Sequence, residues 1–259
     1  MDSLLDLDRQ VIVITGGAGA LGVPIARTLL DHGARVAIAD IVAEAEVVER
    51  FPGDRERLLY VRDDLTDPDS AGRILDTVEA AWGSPDTVCC HAGMTRSAAL
   101  PEHSLSDFDD VMRLNTRASY AMAREAATRW IDAGRGGNLV FTGSWVQDVP
   151  WPGIAAYAAS KAALRSLARS FARELAPQGI RANVIAPGIV DAGMARQQWD
   201  TEPDYRARAC RAVPLGRLQP PESVAHAVLF ACSHMSSYMT GATLLIDGGA
   251  SLYPMDCDD

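Results

Sequence analysis

Short, wholly apolar runs alternate along this chain with longer stretches in which apolar positions recur at helical spacing. Residues 11–14 form the first run, and a helical pattern follows from about 21 to 32. Residues 35–39 form the second, closing on Asp40. Residues 58–61 are the third, with a helical pattern over about 67–82, and residues 87–90 are the fourth. A long helical region is predicted over about 104–133, a fifth strand over 138–142 and a helix over about 153–176. Residues 181–185 read as the sixth strand, 221–232 as a helix and 243–246 as a last strand. Between about 188 and 215 the pattern fades into a polar stretch, which is expected to be a long loop serving as a substrate lid.

Strands that are apolar throughout are buried on both faces, as in parallel sheets covered by helices. Alternation of such strands with helices gives βαβ units, and right-handed crossovers wind them into a doubly wound sheet. The expected fold is therefore α/β: one domain over residues 1–259, with a Rossmann-type parallel sheet of about seven strands and helices on both faces. The charge run at 54–57 reads as a solvated turn.

Composition narrows the function classes. The net charge of −10 disfavours nucleic acids and anionic membrane surfaces as partners. No apolar segment approaches the ~20 residues that span a bilayer, and the acidic start of the chain lacks the features of an export leader. The five cysteines show neither CxxC nor metal-ligand spacing. Reduced thiols, a cytoplasmic location and no metal are expected, with Cys89 and Cys90 packed as small apolar residues in a strand.

Chemistry enters at the turn after the first strand. Gly16, Gly19, Leu21 and Gly22 lie where that strand passes into the first helix. Glycines let the backbone approach a pyrophosphate, and the helix N-terminus offers free N–H groups with partial positive charge. Asp40 ends the second strand, about 18 residues after Gly22. A carboxylate there accepts hydrogen bonds from adenosine ribose hydroxyls and repels a 2′-phosphate. No Arg or Lys stands at 39, at 41 or in the glycine turn. The expected cofactor is NAD.

Tyr157 and Lys161, four positions apart on an Ala-rich helix, share a face about one turn apart. An ammonium near a phenol lowers a pKa that is ordinarily near 10, giving a general acid/base for an alcohol or carbonyl. With these residues in place, the chain resembles the short-chain dehydrogenase/reductase family over nearly its whole length. The matching pieces run in the family's order: Thr15-Gly16 to Gly22, Asp64-Leu65, His91-Ala92-Gly93, Asn115, Ser144, Tyr157 with Lys161, Asn183, and Pro187-Gly188.

The resemblance implies a catalytic tetrad. Tyr157 would exchange the proton with the substrate oxygen and Ser144 would hold that oxygen. Lys161 would lower the tyrosine pKa and bind the nicotinamide ribose, and Asn115 would position a water linking Lys161 to solvent. It also implies that Asp64 and Leu65 line the adenine pocket and that His91, Ala92 and Gly93 pass close to the cofactor. Pro187, Gly188 and Val190 would lie against the carboxamide. Three positions depart from the family pattern: Ala20 replaces a motif glycine, His91 an asparagine, and Ala192 a threonine. His91 is expected to make the asparagine's structural hydrogen bond.

The expected reaction interconverts a secondary alcohol and a ketone. Ser144, Gln147, Trp151, Tyr157 and Met194 are the substrate-binding candidates, with Arg96, Trp145, Gln198 and Trp199 beside them. Tryptophan faces with amide hydrogen bonders lean to a sugar or polyol. A cyclic apolar alcohol or hydroxysteroid, and a 3-oxoacyl thioester, are the alternatives. A non-catalytic NAD-binding regulator is the competing class, to which only His91 and Ala192 point. The resemblance further implies a homotetramer, paired through the helices around Asn115 and Tyr157. The closing stretch, 243–254, is a further candidate for reaching a neighbouring subunit.

Overall fold

The computed structural model describes residues 4–53 and 56–252. The part of the charge run at 54–55, Cys257, and the end of the 243–254 stretch lie outside the described residues. Seven parallel strands form one sheet in the order β3-β2-β1-β4-β5-β6-β7. They are β1 Val11–Thr15, β2 Arg35–Asp40, β3 Leu58–Arg62, β4 Thr87–Cys90, β5 Gly137–Thr142, β6 Ile180–Pro187 and β7 Thr243–Ile246. Each lies within a few residues of its predicted place.

Successive side chains of a strand point to opposite faces, and this divides the interior in two. Ile12 and Ile14 join one buried cluster with Ile25 and Leu29 of α1 (Gly22–Asp31) and with Val224 and Val228 of α9 (Pro221–Cys232). Val11 and Val13 join the other, with Ile74 and Val78 of α3 (Ser70–Trp82), Met122 and Trp130 of α5 (Ser119–Asp132), and Leu164 of α6 (Ala155–Leu175). In α3, Ile74, Leu75 and Val78 recur at one helical face, which is why that helix docks where it does. Cys89 and Cys90, both buried, point one into each cluster.

Three features differ from the sequence reading. A short helix, α2 (Glu44–Arg50), follows β2. The stretch expected to be an irregular loop carries two helices, α7 (Gly193–Thr201) and α8 (Pro203–Ala212). Both have few apolar positions, so their periodicity is faint. Yet Pro203 at the first turn with Asp204 behind it is a helix-start signal that marks α8. The long predicted helix at 104–133 is also interrupted. It runs as α4 (Leu105–Val111), a π-helical stretch Met112–Ala118, and α5. Ser104 caps α4 by accepting from the Asp107 amide at 3.0 Å. Among the described residues no helix is long and apolar enough to cross a membrane.

Candidate active site

The strand order reverses direction between β1 and β4, and in open α/β sheets ligands bind beyond the C-terminal ends of the strands at that point. One cleft of about 1020 Å³ lies there, walled by residues that follow β1, β2, β4, β5 and β6, and by α7 and α8.

Its floor is the β1–α1 turn. Gly16 has a φ of +70°, and a Cβ on it would stand 2.7 Å from the Ala92 Cα. On Gly22 a Cβ would meet the Gly16 carbonyl oxygen at 2.4 Å, so this turn closes only with glycine. Gly16, Gly19 and Leu21 line the cleft; Gly22 lies beneath, packed on the turn. The first turn of α1 has no side-chain cap and no acidic residue. The Val23 and Ile25 amides donate to the Gly19 and Leu21 carbonyls and Pro24 has no N–H, so what this end offers an anion is chiefly the partial positive charge of the helix. Ala20, in place of the motif glycine, is exposed on the cleft wall, where its methyl obstructs nothing.

Asp40 stands at the end of β2 and faces this turn. One carboxylate oxygen accepts from the Ala18 amide at 3.0 Å, and the other from the Ile41 amide at 2.8 Å. The second oxygen also accepts from the Val42 amide at 3.4 Å, so the oxygen bonded to Ala18 is the one that retains an acceptor site, and Asp40 lines the cleft. Asp64 and Leu65 line the same end, with the Asp64 carboxylate tied to Thr66 through its amide and hydroxyl, each at 2.9 Å.

The middle of the cleft is organised by Thr15. Its hydroxyl accepts from the amides of His91 (3.0 Å) and Ala92 (3.1 Å), fixing the loop after β4 against the glycine turn. His91 Nδ1 and Thr142 Oγ1 are hydrogen-bonded at 2.9 Å. Burial, and then the neighbouring Lys161 ammonium, push the imidazole pKa down to about 4, so it is neutral at pH 7. The geometry agrees with the structural hydrogen bond expected of His91.

The four catalytic candidates converge here. Ser144 follows β5, Tyr157 and Lys161 lie on α6, and Asn115 sits within the π-helical stretch. The Ser144 side chain faces the Tyr157 phenol, and both line the cleft. Lys161 Nζ lies 5.4 Å from the Tyr157 ring centroid and donates to the Thr142 carbonyl at 2.7 Å. Burial brings its pKa down to about 8. Burial raises the Tyr157 phenol, and the neighbouring Ser144 opposes that rise only in part.

Asn115 is fully buried, and its amide brackets Met94. It accepts from the Met94 N–H at 2.8 Å and donates to the Met94 carbonyl and to Ser160 Oγ, each at 2.9 Å. A methyl placed on Gly93 would come 3.3 Å from Asn115 Oδ1 and 3.4 Å from Lys161 Nζ, so the two side chains flank one backbone position.

Gly93, Gly188 and Val190 line the cleft as expected. Pro187 does not; it ends β6 in the sheet, paired with Ile246. Of the substrate candidates, Ser144, Trp145, Trp151, Tyr157 and Gln198 line the cleft. Gln147 does not: it is 8% exposed, and its carbonyl oxygen would lie 2.6 Å from a Cβ on Gly143, turned under the β5 loop. Arg96 points away to Asp107 at 3.5 Å, and Trp199 packs beneath Arg206. The Met194 side chain lies outside the described residues. Tyr205, Arg208, Met94 and Thr95 line the cleft and were not foreseen. The α8 start signal would have offered Tyr205 and Arg208; for the pair at 94–95 only proximity to Gly93 could have served.

A strand-to-helix dinucleotide turn opening into a cleft lined by a tyrosine, a serine and a lysine defines an oxidoreductase of the Rossmann type. Comparison with known proteins agrees. Residues 16–251 match the family model described as enoyl-(acyl carrier protein) reductase. The cis-4-hydroxycyclohexanecarboxylate dehydrogenase of Sinomonas cyclohexanicum is 35% identical over 243 residues, covering 93% of this chain and 96% of that one. The 3-oxoacyl-[acyl-carrier-protein] reductase FabG of Escherichia coli (strain K12) is 32% identical over 247 residues, covering 95% and 98%. A crystal structure of a gluconate 5-dehydrogenase from Burkholderia cenocepacia J2315, in complex with NADP and tartrate, superposes with a TM-score of 0.90 at 27% identity, covering 98% and 99%. The chain belongs to the short-chain dehydrogenase/reductase family, and it is an oxidoreductase acting on an alcohol or ketone.

Proposed function

We propose that this protein is an NAD-dependent dehydrogenase that interconverts a secondary alcohol on an apolar ring with its ketone. The observation that carries the reading is the gathering of Tyr157, Ser144 and Lys161 on the wall of one cleft whose far end is closed by Asp40. The glycine turn, the positive end of α1 and the acceptor site left on the Asp40 oxygen bonded to Ala18 fit a nicotinamide dinucleotide, whose bound nicotinamide supplies and accepts the hydride.

In oxidation the substrate hydroxyl occupies the position between Ser144 and Tyr157. Tyr157 takes the hydroxyl proton as the hydride leaves the same carbon, and Ser144 donates to the oxygen as its charge changes. In reduction the phenol gives that proton back. The protonated phenol favoured by burial suits the reductive direction at neutral pH, and oxidation requires the phenolate. Lys161 holds positive charge beside the ring and favours that phenolate as the proton leaves. Asn115 anchors the Met94 segment of the cleft wall.

Asp40 supports NAD: its charge is unfavourable beside a 2′-phosphate. The ring alcohol is supported by the aromatic walls Trp145, Trp151 and Tyr205, and by the activity named for the Sinomonas relative. A polyol is the second reading, favoured by Gln198 on the cleft wall; Gln147, the other amide counted for it, does not line the cleft. Following nicotinamide reduction with ring alcohols and polyols, first with NAD and then with NADP, tests both assignments. Turnover with NAD on ring alcohols is expected. Turnover with NADP alone would overturn the cofactor assignment, and turnover confined to polyols the ring assignment.

A further inference from the structure

The substrate end of the cleft contains a cation that the hydride chemistry does not use. Arg208, on α8, lines the cleft, and its guanidinium lies over the Trp151 ring at 5.0 Å from the centroid. Neighbouring arginines are engaged elsewhere. Arg196 binds Asp191 and Asp200, Arg165 binds Asp148, and Arg206 donates to the Trp199 carbonyl at 3.0 Å. No carboxylate among the described residues forms an ion pair with Arg208, an exposed side chain that stacks on Trp151 and lies near the Tyr205 phenol. A guanidinium stacked by its face keeps its in-plane N–H fork free, and that fork matches a carboxylate through two parallel hydrogen bonds.

A continuous apolar wall connects this cation to the proposed reacting centre. Tyr157 packs in the same cluster as Trp145, Trp151 and Tyr205. Trp145 meets Trp151 edge to face at 5.4 Å, and Trp151 meets Tyr205 at 6.3 Å. The wall thus joins a proton exchanger, an aromatic surface and, over Trp151, a cation that has no ion-pair partner among the described residues. Glu202 also lines the cleft, and it and Arg208 act in opposite directions on the Tyr205 phenol.

Building on the dehydrogenase reading above, we propose that Arg208 is a specificity residue that recognises a carboxylate, so that the substrate is a hydroxy acid: a secondary alcohol and a carboxylate at opposite ends of an apolar ring.

The test separates recognition from turnover. Cyclohexanecarboxylate, which has no hydroxyl to oxidise, and its neutral carboxamide are titrated into the protein with NADH present, following tryptophan fluorescence. Saturable binding of the carboxylate is expected, about 10- to 100-fold tighter than the carboxamide, the range of a charge-assisted hydrogen-bonded pair. Arg208→Gln is expected to erase that difference, and Arg208→Lys to restore part of it. Equal binding of the two ligands, binding of neither, or a preference surviving in Arg208→Gln would each overturn the proposal. In turnover, hydroxycyclohexanecarboxylates are expected to exceed their methyl esters in kcat/KM by a similar ratio, and Arg208→Gln to collapse it. Carboxylate binding without turnover of any alcohol would leave the Arg208 assignment standing and sink the dehydrogenase reading. Turnover of acid and ester alike would do the reverse.

Discussion

At the scale of single residues, Asp40 and His91 carry the most distinctive consequences. Asp40 accepts from the Ile41 and Val42 amides with one oxygen and from the Ala18 amide with the other, which keeps an acceptor site. Asp40→Asn keeps an acceptor near the glycine turn but removes the charge. Loss of a charge-assisted hydrogen bond is expected to raise KM for NAD about 10-fold or more and to narrow the preference over NADP, measured by steady-state kinetics with each dinucleotide. An unchanged preference would mean that Asp40 does not read the ribose. His91 acts on stability. Its folded pKa of about 4 lies below the ordinary value of 6.5. Between those values the unfolded chain binds a proton that the folded one does not, so stability is lost as pH falls from 6.5 toward 4 and is unaffected above 7. His91→Asn is expected to lessen the loss over that window by up to about 3 kcal/mol, read from urea unfolding at pH 7 and pH 4.5. Parallel losses in both proteins would contradict this.

At the scale of elements, the π-helical stretch and α8 do what an uninterrupted helix and an irregular loop would not. The stretch Met112–Ala118 holds Asn115 in the interior, where one amide serves Met94 and Ser160. Asn115→Ala leaves the Met94 N–H and carbonyl without those partners, at an expected cost of about 2–4 kcal/mol in stability. That cost shows as a lower midpoint in thermal or urea unfolding, and a change under about 0.5 kcal/mol would show that the Met94 segment does not depend on it. The strands and the α1, α3, α6 and α9 helices were legible because each is apolar enough to show its period. The same reasoning could not see α7 and α8, whose stability comes from a few contacts such as Tyr205 and Ala209 rather than from a broad apolar face. The π interruption left no mark on the pattern at all. The catalytic set was legible because its residue types and order are specific. The substrate wall was legible only in part. Gln147 stands three positions after Ser144, yet the short turn there directs its side chain under the loop.

At the scale of the whole molecule, one sheet brings the ends of β1, β2, β4, β5 and β6 to a common rim, and one cleft then spans the distance from Asp40 to Arg208. The outer faces of α4 and α5 expose Phe108, Tyr120 and Ile131 at 39%, 44% and 42%. Apolar exposure along these helices supports pairing between subunits. A tetramer is the expected species in sedimentation at micromolar concentration, and a monomer would remove that assignment. The central claim concerns the proton exchanged at Tyr157, and it is tested most directly by comparing the native protein with Tyr157→Phe in two assays: nicotinamide reduction on a ring alcohol and NADH binding. The account predicts turnover by the native protein, a fall of about 10³-fold or more in the variant, and an NADH dissociation constant changed by no more than about threefold. A variant that keeps its turnover, or a native protein that binds NADH yet turns over no alcohol or ketone, would contradict it, the second result pointing to a dinucleotide-binding regulator.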